Sequence, residues 1–275
     1  MFLFSAKVNH TTIQITDLQG KNRIKMNKHP ESFPELDQLG VTLPEYLPTF
    51  DFPGAYIDSS HAVYAECPVN EDDLVQVEKS WWSLRKMFPG WLRRADALKL
   101  YEMAYFVQGD ILEVGSYHGL STTILAEAAR QSPWSKHIYS IDMSPKCVKK
   151  AKYHLRKKKL DRGVTNICNE GTAAVKALKA EGKQFEFAFI DHSHEYDPVF
   201  SVCRELDSLV VPGGFCLFHD FNDQRNSDPE AHDYGVYQAV TEGLDPDKFE
   251  FYGLYGCTGL YRMKPSQEME LRKTA

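Results

Sequence analysis

Two short clusters hold the groups best suited to chemistry: Asp191-His192-Ser193-His194 and His219-Asp220. Each closes an apolar run, FEFAFI before the first and GGFCLF before the second. Carboxylates beside imidazoles can take up a proton or hold a divalent cation such as Mg2+. On that reading Asp191 and Asp220 are metal ligands, and His194 is a base acting with Asp191 at the reacting centre. Hydrogen bonding to loop backbone would explain His192 and His194 equally well, and Asp220 is also suited to capping the turn after it.

A second constellation lies upstream, in Asp110-Ile-Leu-Glu-Val-Gly-Ser-Tyr-His-Gly-Leu-Ser-Thr122. An apolar strand brings Glu113 and Gly115 to a sheet edge. Gly115 and Gly119 allow a sharp turn and a close backbone approach to a ligand, and Ser121 and Thr122 open a helix. Asp142 ends the next apolar run, where a carboxylate can accept both hydroxyls of a ribose. A tight strand-to-helix turn needs the same glycines, so the loop alone is a generic device. Its spacing, Gly115-Ser-Tyr-His-Gly119, lacks the GxGxxG of dinucleotide folds and disfavours a nicotinamide dehydrogenase.

These residues need a scaffold, and the pattern from Gly109 onward supplies one. The apolar runs DILEVG, HIYSID, VTNICNEG, FEFAFIDH and GGFCLFHD alternate with helical segments: STTILAEAAR, Pro145–Lys159, TAAVKALKAEG, Tyr196–Leu209 and Tyr234–Gly243. Such alternation predicts a mostly parallel sheet covered on both faces, with ligands at the edge where the strands end. Lys248–Leu254 and Thr258–Met263, separated by three residues, form an antiparallel hairpin. Helices are expected at about 71–87 and 94–107. Residues 1–70 read as an N-terminal cap with prolines at 30, 34, 44, 48, 53 and 68. Strands are expected there at Thr12–Thr16 and Arg23–Met26, with Asp17–Lys21 as the turn. The aromatic residues Phe33, Tyr46, Phe50, Phe52, Tyr56 and Tyr64 suit a packed cap or a substrate lid. Residues 71–275 make the main domain with its leading helices.

At 43% hydrophobic and 25% charged residues, the chain has globular composition, which excludes general disorder. A net charge of -6 argues against a general nucleic-acid binder. The basic stretch Lys146–Arg162 is interleaved with Cys147, Val148, Ala151, Leu155 and Leu160, as expected of a solvated helix face. No apolar run approaches the roughly 20 residues of a membrane helix. The amino terminus has no basic n-region or cleavage site, so a cytoplasmic protein with no membrane partner is expected. The six cysteines form no CxxC pair, and Cys168 and Cys216, inside apolar runs, are expected as buried thiols.

ILEVGSYHGLST followed by SIDMSP resembles the first two motifs of class I S-adenosylmethionine-dependent methyltransferases. FAFIDHSHEYDPV and LVVPGGFCLFHDF resemble later motifs of small-molecule O-methyltransferases of the catechol and macrocin types. The resemblance covers about residues 95–264. It implies an α/β fold, doubly wound and Rossmann-like, with a mostly parallel seven-stranded sheet and a C-terminal antiparallel hairpin. It implies S-adenosyl-L-methionine as cofactor. Glu113, Gly115 and Ser116 match the loop holding the methionine part, continued by Tyr117, Gly119, Ser121 and Thr122. Asp142 matches the ribose acid with Met143 beside the adenine. Glu170, Gly171 and Thr172 match the loop bordering the adenine, and Asp191 and His192 the strand end facing the sulfonium. Asp191 and Asp220 match metal ligands, and an Asp followed three residues later by His matches some sugar O-methyltransferases, where that His is the proposed base. Relatives commonly follow the second aspartate with Asn or Asp. Here Phe221 follows, leaving Asn222, His219 or Asp223 as substitutes, or no metal.

The function expected is methyl transfer to a hydroxyl of a small molecule, a sugar or a secondary metabolite being candidates. The alternatives are another group transferase on this fold or a non-catalytic cofactor-binding protein. Assembly as a homo-oligomer stays open. An ordered cap makes one immediate prediction: residues 30–70 resist limited proteolysis of the native protein. Rapid cleavage there with full cofactor affinity would make the segment dispensable for cofactor binding.

Overall fold

A computed structural model of the chain describes residues 5–9, 12–16, 22–26, 92 and 94–265 apart from 229. The first three segments are strands β1 (Ser5–Asn9), β2 (Thr12–Thr16) and β3 (Asn22–Met26), paired antiparallel in the order β1-β2-β3. Two of them were expected; β1 was not. The rest of the cap expected over 1–70, including all of residues 27–70, and the helix over about 71–87 lie outside the described residues.

Helix α1 (Arg94–Phe106) leads into a seven-stranded sheet. Its strands are β4 (Ile111–Val114), β5 (Ile138–Asp142), β6 (Val164–Cys168), β7 (Phe185–Ile190), β8 (Val210–Phe218), β9 (Phe249–Tyr255) and β10 (Thr258–Met263). The order across the sheet is β6-β5-β4-β7-β8-β10-β9. The first five strands are parallel, and β10 runs antiparallel to both β8 and β9. This is the doubly wound sheet with a terminal hairpin that the alternating pattern predicts. Strand order reverses direction at β4, so the crevice for a ligand opens between the ends of β4 and β7.

The intervening helices are α2 (Leu120–Gln131), α3 (Pro145–Lys157), α4 (Gly171–Ala180), α5 (Tyr196–Leu209) and α6 (Val236–Gly243). In α3, Ser144 caps the amino end and Pro145 occupies the first turn, while Val148, Ala151 and Leu155 are buried. The lysines therefore take the solvated side, as expected. Helix α6 starts two residues later than expected, and β8 starts three residues before GGFCLF, at Val210 directly after α5.

Successive side chains of a strand point to opposite faces, and the core shows this residue by residue. Leu112, Val114, Ala188, Ile190, Cys216 and Phe218 pack with α4, α5 and α6 on one face. Ile111, Phe187, Phe189, Phe215 and Leu217 pack with α1 and α2 on the other. Each phenylalanine taken fully out of water contributes about 1.5–3 kcal/mol, so both faces are strongly held. Register pairs Ile190 of β7 with Phe218 of β8. Carried one residue further, the alternation sets Asp191 and His219 side by side on the α1 face.

Two expectations need correction. Cys216 is buried, but Cys168 is exposed, because it ends β6, the edge strand of the sheet. Helix α2 is capped by Gly119 with no side-chain hydrogen bond; Ser121 and Thr122 lie within its first turn and are buried. Among the described residues, no helix is long and apolar enough to cross a membrane.

Gly115 adopts φ +101°, and a Cβ there would lie 2.0 Å from the Asp191 carbonyl oxygen. Gly182 also has positive φ (+71°) but open space around it. Gly182→Ala should therefore cost only about 1 kcal/mol in urea denaturation, whereas Gly115→Ala should cost on the order of 3 kcal/mol. Equal costs would show that the close approach of β4 to β7 contributes nothing.

Candidate active site

The loop after β4 is held from three sides. Glu113, fully buried, accepts hydrogen bonds from Thr122 Oγ1 and Ser140 Oγ, each at 2.6 Å. Burial outweighs those bonds and pushes its pKa up to about 7. Its second oxygen, Oε1, has no hydrogen-bond partner. The backbone N–H groups of Gly115 and Ser116 donate to the Ile141 carbonyl. From α3, His154 Nδ1 lies 2.9 Å from the His118 carbonyl and Lys150 Nζ 3.2 Å from His118 Nε2. Gly119 has φ +89°, and a Cβ there would come within 2.9 Å of Ala151 Cα, so the loop lies against α3 and only glycine fits.

Asp142 ends β5 and accepts one N–H on each oxygen: Tyr117 N on Oδ2 and Ser144 N on Oδ1, both at 2.8 Å. A carboxylate oxygen accepts more than one hydrogen bond, so both keep capacity for a pair of hydroxyls. Beside it, Met143 is 74% exposed and Tyr117 47%, two large side chains that a flat ligand could cover. Glu170 caps α4, accepting from Thr172 N at 2.8 Å and Ala173 N at 2.7 Å. Burial opposes its ionisation, but these bonds prevail and lower its pKa. Gly171 keeps α4 close to β4; a Cβ there would lie 3.1 Å from Val114 Cγ1 and 3.9 Å from the His192 ring. Burial takes the His192 pKa down to about 4, so the ring is neutral at neutral pH.

At the ends of β7 and β8 the expected clusters come together, with His219 at the centre. Its Nδ1 lies 3.1 Å from Asp191 Oδ1 and 3.1 Å from Asp220 Oδ2. Its Nε2 lies 3.6 Å from Asp96 Oδ2 and 3.3 Å from Cys257 Sγ. His194 Nε2 lies 3.2 Å from Asp220 Oδ2, and the His194 side chain is 50% exposed. The His194 ring stacks on Tyr234 at 4.9 Å, and the Arg225 guanidinium covers the same tyrosine at 4.2 Å.

These contacts separate the two aspartates electrostatically. Burial raises the pKa of Asp191 against the pull of His219. Burial also works against Asp220, but its contacts with His194 and His219 prevail and hold its pKa far below the usual carboxylate range. Burial would lower the His219 pKa, yet the charge of Asp191 outweighs it and raises the value well above that of free histidine. The contact with Asp220 raises that of His194. His194 is thus an accessible imidazole oriented by a carboxylate.

Asp191, His219 and Asp220 each offer a donor atom, all within 4.8 Å of one another, and so fit one divalent cation. Phe221 is committed elsewhere: it is 1% exposed and packs against Tyr237, Phe251 and Tyr261. Asn222 turns its amide to the Gly256 carbonyl at 3.4 Å, and Asp223 binds Arg225 Nε at 2.8 Å. Of the three substitutes, only His219 is in contact with both carboxylates.

Sequence reasoning missed Asp96 and Arg225. It placed Tyr234 as the first residue of a helix, which in fact begins at Val236. The strand alternation that brings His219 onto the α1 face was available and would have pointed towards Asp96.

Residues 112–221 match a family model described as a methyltransferase domain. In solved structures, the fold resembles an O-methyltransferase from Bacillus cereus in complex with SAH at 16% identity and a TM-score of 0.53, covering 70% of this chain and 90% of that one. It also resembles the O-methyltransferase TomG from Streptomyces achromogenes, involved in tomaymycin synthesis and in complex with SAM, at 17% identity and a TM-score of 0.53, covering 73% and 94%. No curated protein matches the chain in sequence. The fold implied by the four motifs is thus borne out: the chain has the Rossmann-like fold of these solved O-methyltransferases, and the segment that matches the methyltransferase-domain model spans the loop after β4 and both strand-end clusters.

Replacing Asp142 by Ala should weaken binding of S-adenosylmethionine by about 1–3 kcal/mol, the cost of leaving buried hydroxyls without an acceptor. Calorimetry with the two proteins measures it. Unchanged affinity would exclude Asp142 from the cofactor site.

Proposed function

We propose that this protein transfers a methyl group from S-adenosylmethionine to a hydroxyl of a small molecule, a sugar or secondary metabolite. One observation carries the reading. His194, exposed and paired with Asp220, stands on the strand-end loop whose Asp191 carbonyl touches Gly115 of the glycine loop. A base and a cofactor loop therefore share one cleft. Asp142 binds the ribose, Tyr117 and Met143 flank the adenine, and the Gly115–Ser116 backbone faces the methionine part. Glu113, Ser121 and Thr122, all buried, support that loop from behind. The exposed strand-end loops admit the acceptor.

The acceptor oxygen attacks the methyl carbon, the carbon–sulfur bond breaks, and its electron pair returns to sulfur as a neutral thioether. His194 takes the hydroxyl proton, while Asp220 fixes its ring and stabilises the imidazolium that forms. Alignment in the cleft contributes through effective molarity. Asp191 and Asp220 would hold a divalent cation, Mg2+ among the candidates, which as a Lewis acid would polarise the acceptor hydroxyl.

His194→Ala should lower turnover about 10²–10⁴-fold, measured with labelled cofactor and a panel of hydroxylated acceptors. Asp191→Asn and Asp220→Asn should lower turnover far more than cofactor affinity, and chelator should abolish activity that added Mg2+ restores. Full activity in the presence of chelator, with His194→Ala inactive, would remove the cation and keep the base. Full activity of His194→Ala would remove the base.

A further inference from the structure

Asp96 lies outside the two clusters and outside the matched domain, on α1, yet only 1% exposed. Its Oδ1 accepts the Cys257 backbone N–H at 2.8 Å, and its Oδ2 accepts the Cys257 thiol at 3.2 Å. That same Oδ2 is 3.6 Å from His219 Nε2, and the Cys257 sulfur, 3.3 Å from Nε2, links the two groups. A carboxylate fixed at both oxygens thus stands behind one nitrogen of a buried imidazole. The other nitrogen, Nδ1, has no well-directed hydrogen bond, although both the Asp191 and Asp220 carboxylates are 3.1 Å away. His219 is 5% exposed, and so tightly buried a polar atom ordinarily finds a partner. Two carboxylate oxygens and an imidazole nitrogen close together, with that nitrogen bonded squarely to neither oxygen, suit three donors sharing one ion.

We propose that His219 Nδ1 is the third protein ligand of a divalent cation held by Asp191 and Asp220, and that Asp96 is the positioning residue that orients it through Nε2. The proposal deepens the cation part of the function proposed above. A histidine ligand characteristically donates its other ring N–H to a carboxylate, which fixes its tautomer and direction. Two carboxylates and one imidazole also favour a transition metal such as Mn2+ over Mg2+, which prefers oxygen donors and gives up its water reluctantly. Phe221 then costs the site no donor: the ligand lost after Asp220 is replaced by the residue before it.

The test uses the full chain and Mn2+ as probe, read by electron paramagnetic resonance without any acceptor present. Wild type should bind one Mn2+, displaced by Mg2+ only in more than about tenfold molar excess. Echo-modulation spectra should show coupling to an imidazole nitrogen. That coupling should persist in His194→Ala and vanish in His219→Gln. Asp96→Asn should weaken Mn2+ binding about 10–100-fold while circular dichroism shows an intact fold; Asp96→Glu should recover part of the loss. The wild-type spectrum needs no variant, so a misfolded His219→Gln cannot hide the answer. Bound Mn2+ without nitrogen coupling, or undiminished affinity in Asp96→Asn, overturns the proposal and leaves the function above standing. No Mn2+ binding at millimolar concentration overturns the proposal together with the cation part of that function. Normal coupling in a protein that methylates no hydroxyl would support the site and overturn the function.

Discussion

The structure turns on the burial of one imidazole among three carboxylates. Moving charges out of water is costly, and a buried charge that loses its counterion is strongly destabilising, typically by about 3–5 kcal/mol. His219 therefore has to keep Asp96, Asp191 and Asp220 close, and they arrive from three parts of the chain. Asp96 ties in α1, Asp191 the end of β7, and Asp220 the end of β8. Cys257, at the hairpin turn, is drawn in through Asp96. One cluster thus couples helix, sheet and hairpin at the edge where the cleft opens.

The loop after β4 is tied to the same cluster through the backbone. Asp191 N donates to the Val114 carbonyl at 2.8 Å, and the next residue of that strand, Gly115, packs on the Asp191 carbonyl. A shift of Asp191 is therefore felt at once by the glycine loop. Behind that loop, Glu113 gathers hydroxyls from α2 and β5. The pleat puts Glu113 on the same side of the sheet as Ile111, the face that α1 and α2 cover. Both halves of the site are thus supported from one face, by the two helices that open the domain.

Most of this scaffold could be read from sequence, because its determinants are local. Short apolar runs ending in Gly, Asp or His, each followed by a helical pattern, give the strand sequence and the cleft edge directly. Helix α5 matches its expected bounds, since Tyr196 follows a loop and Leu209 runs straight into a strand. The failures are non-local. Cys168 has the look of a buried strand residue, and only its place on the outermost strand exposes it. Asp96 sits in an unremarkable helix, and its partners lie 123 and 161 residues further along the chain at His219 and Cys257. Phe221 looked like a missing ligand because the loop was read without the aromatic cluster of Tyr237, Phe251 and Tyr261 that it fills.

Backbone strain sharpens the distinction between scaffold and site. Three of the described residues other than glycine have positive φ: Lys159 at 58°, Tyr117 at 43° and Asp220 at 57°. Such conformations cost on the order of 1–3 kcal/mol each and persist only where the surroundings enforce them. Lys159 has an ordinary explanation. It follows α3, where Leu160 N bonds the Leu155 carbonyl at 2.9 Å and Lys159 N bonds Arg156 O at 3.0 Å, the pattern that ends many helices in a left-handed residue. Tyr117 and Asp220 end no helix. The Tyr117 N–H is held on Asp142, and the Asp220 carbonyl on Asn226 Nδ2, each at 2.8 Å. One stands beside Asp142 at the end of β5, and the other joins His194 to His219. The fold thus places its two otherwise unexplained strained residues at its two polar clusters, one in the loop after β4 and one at the end of β8.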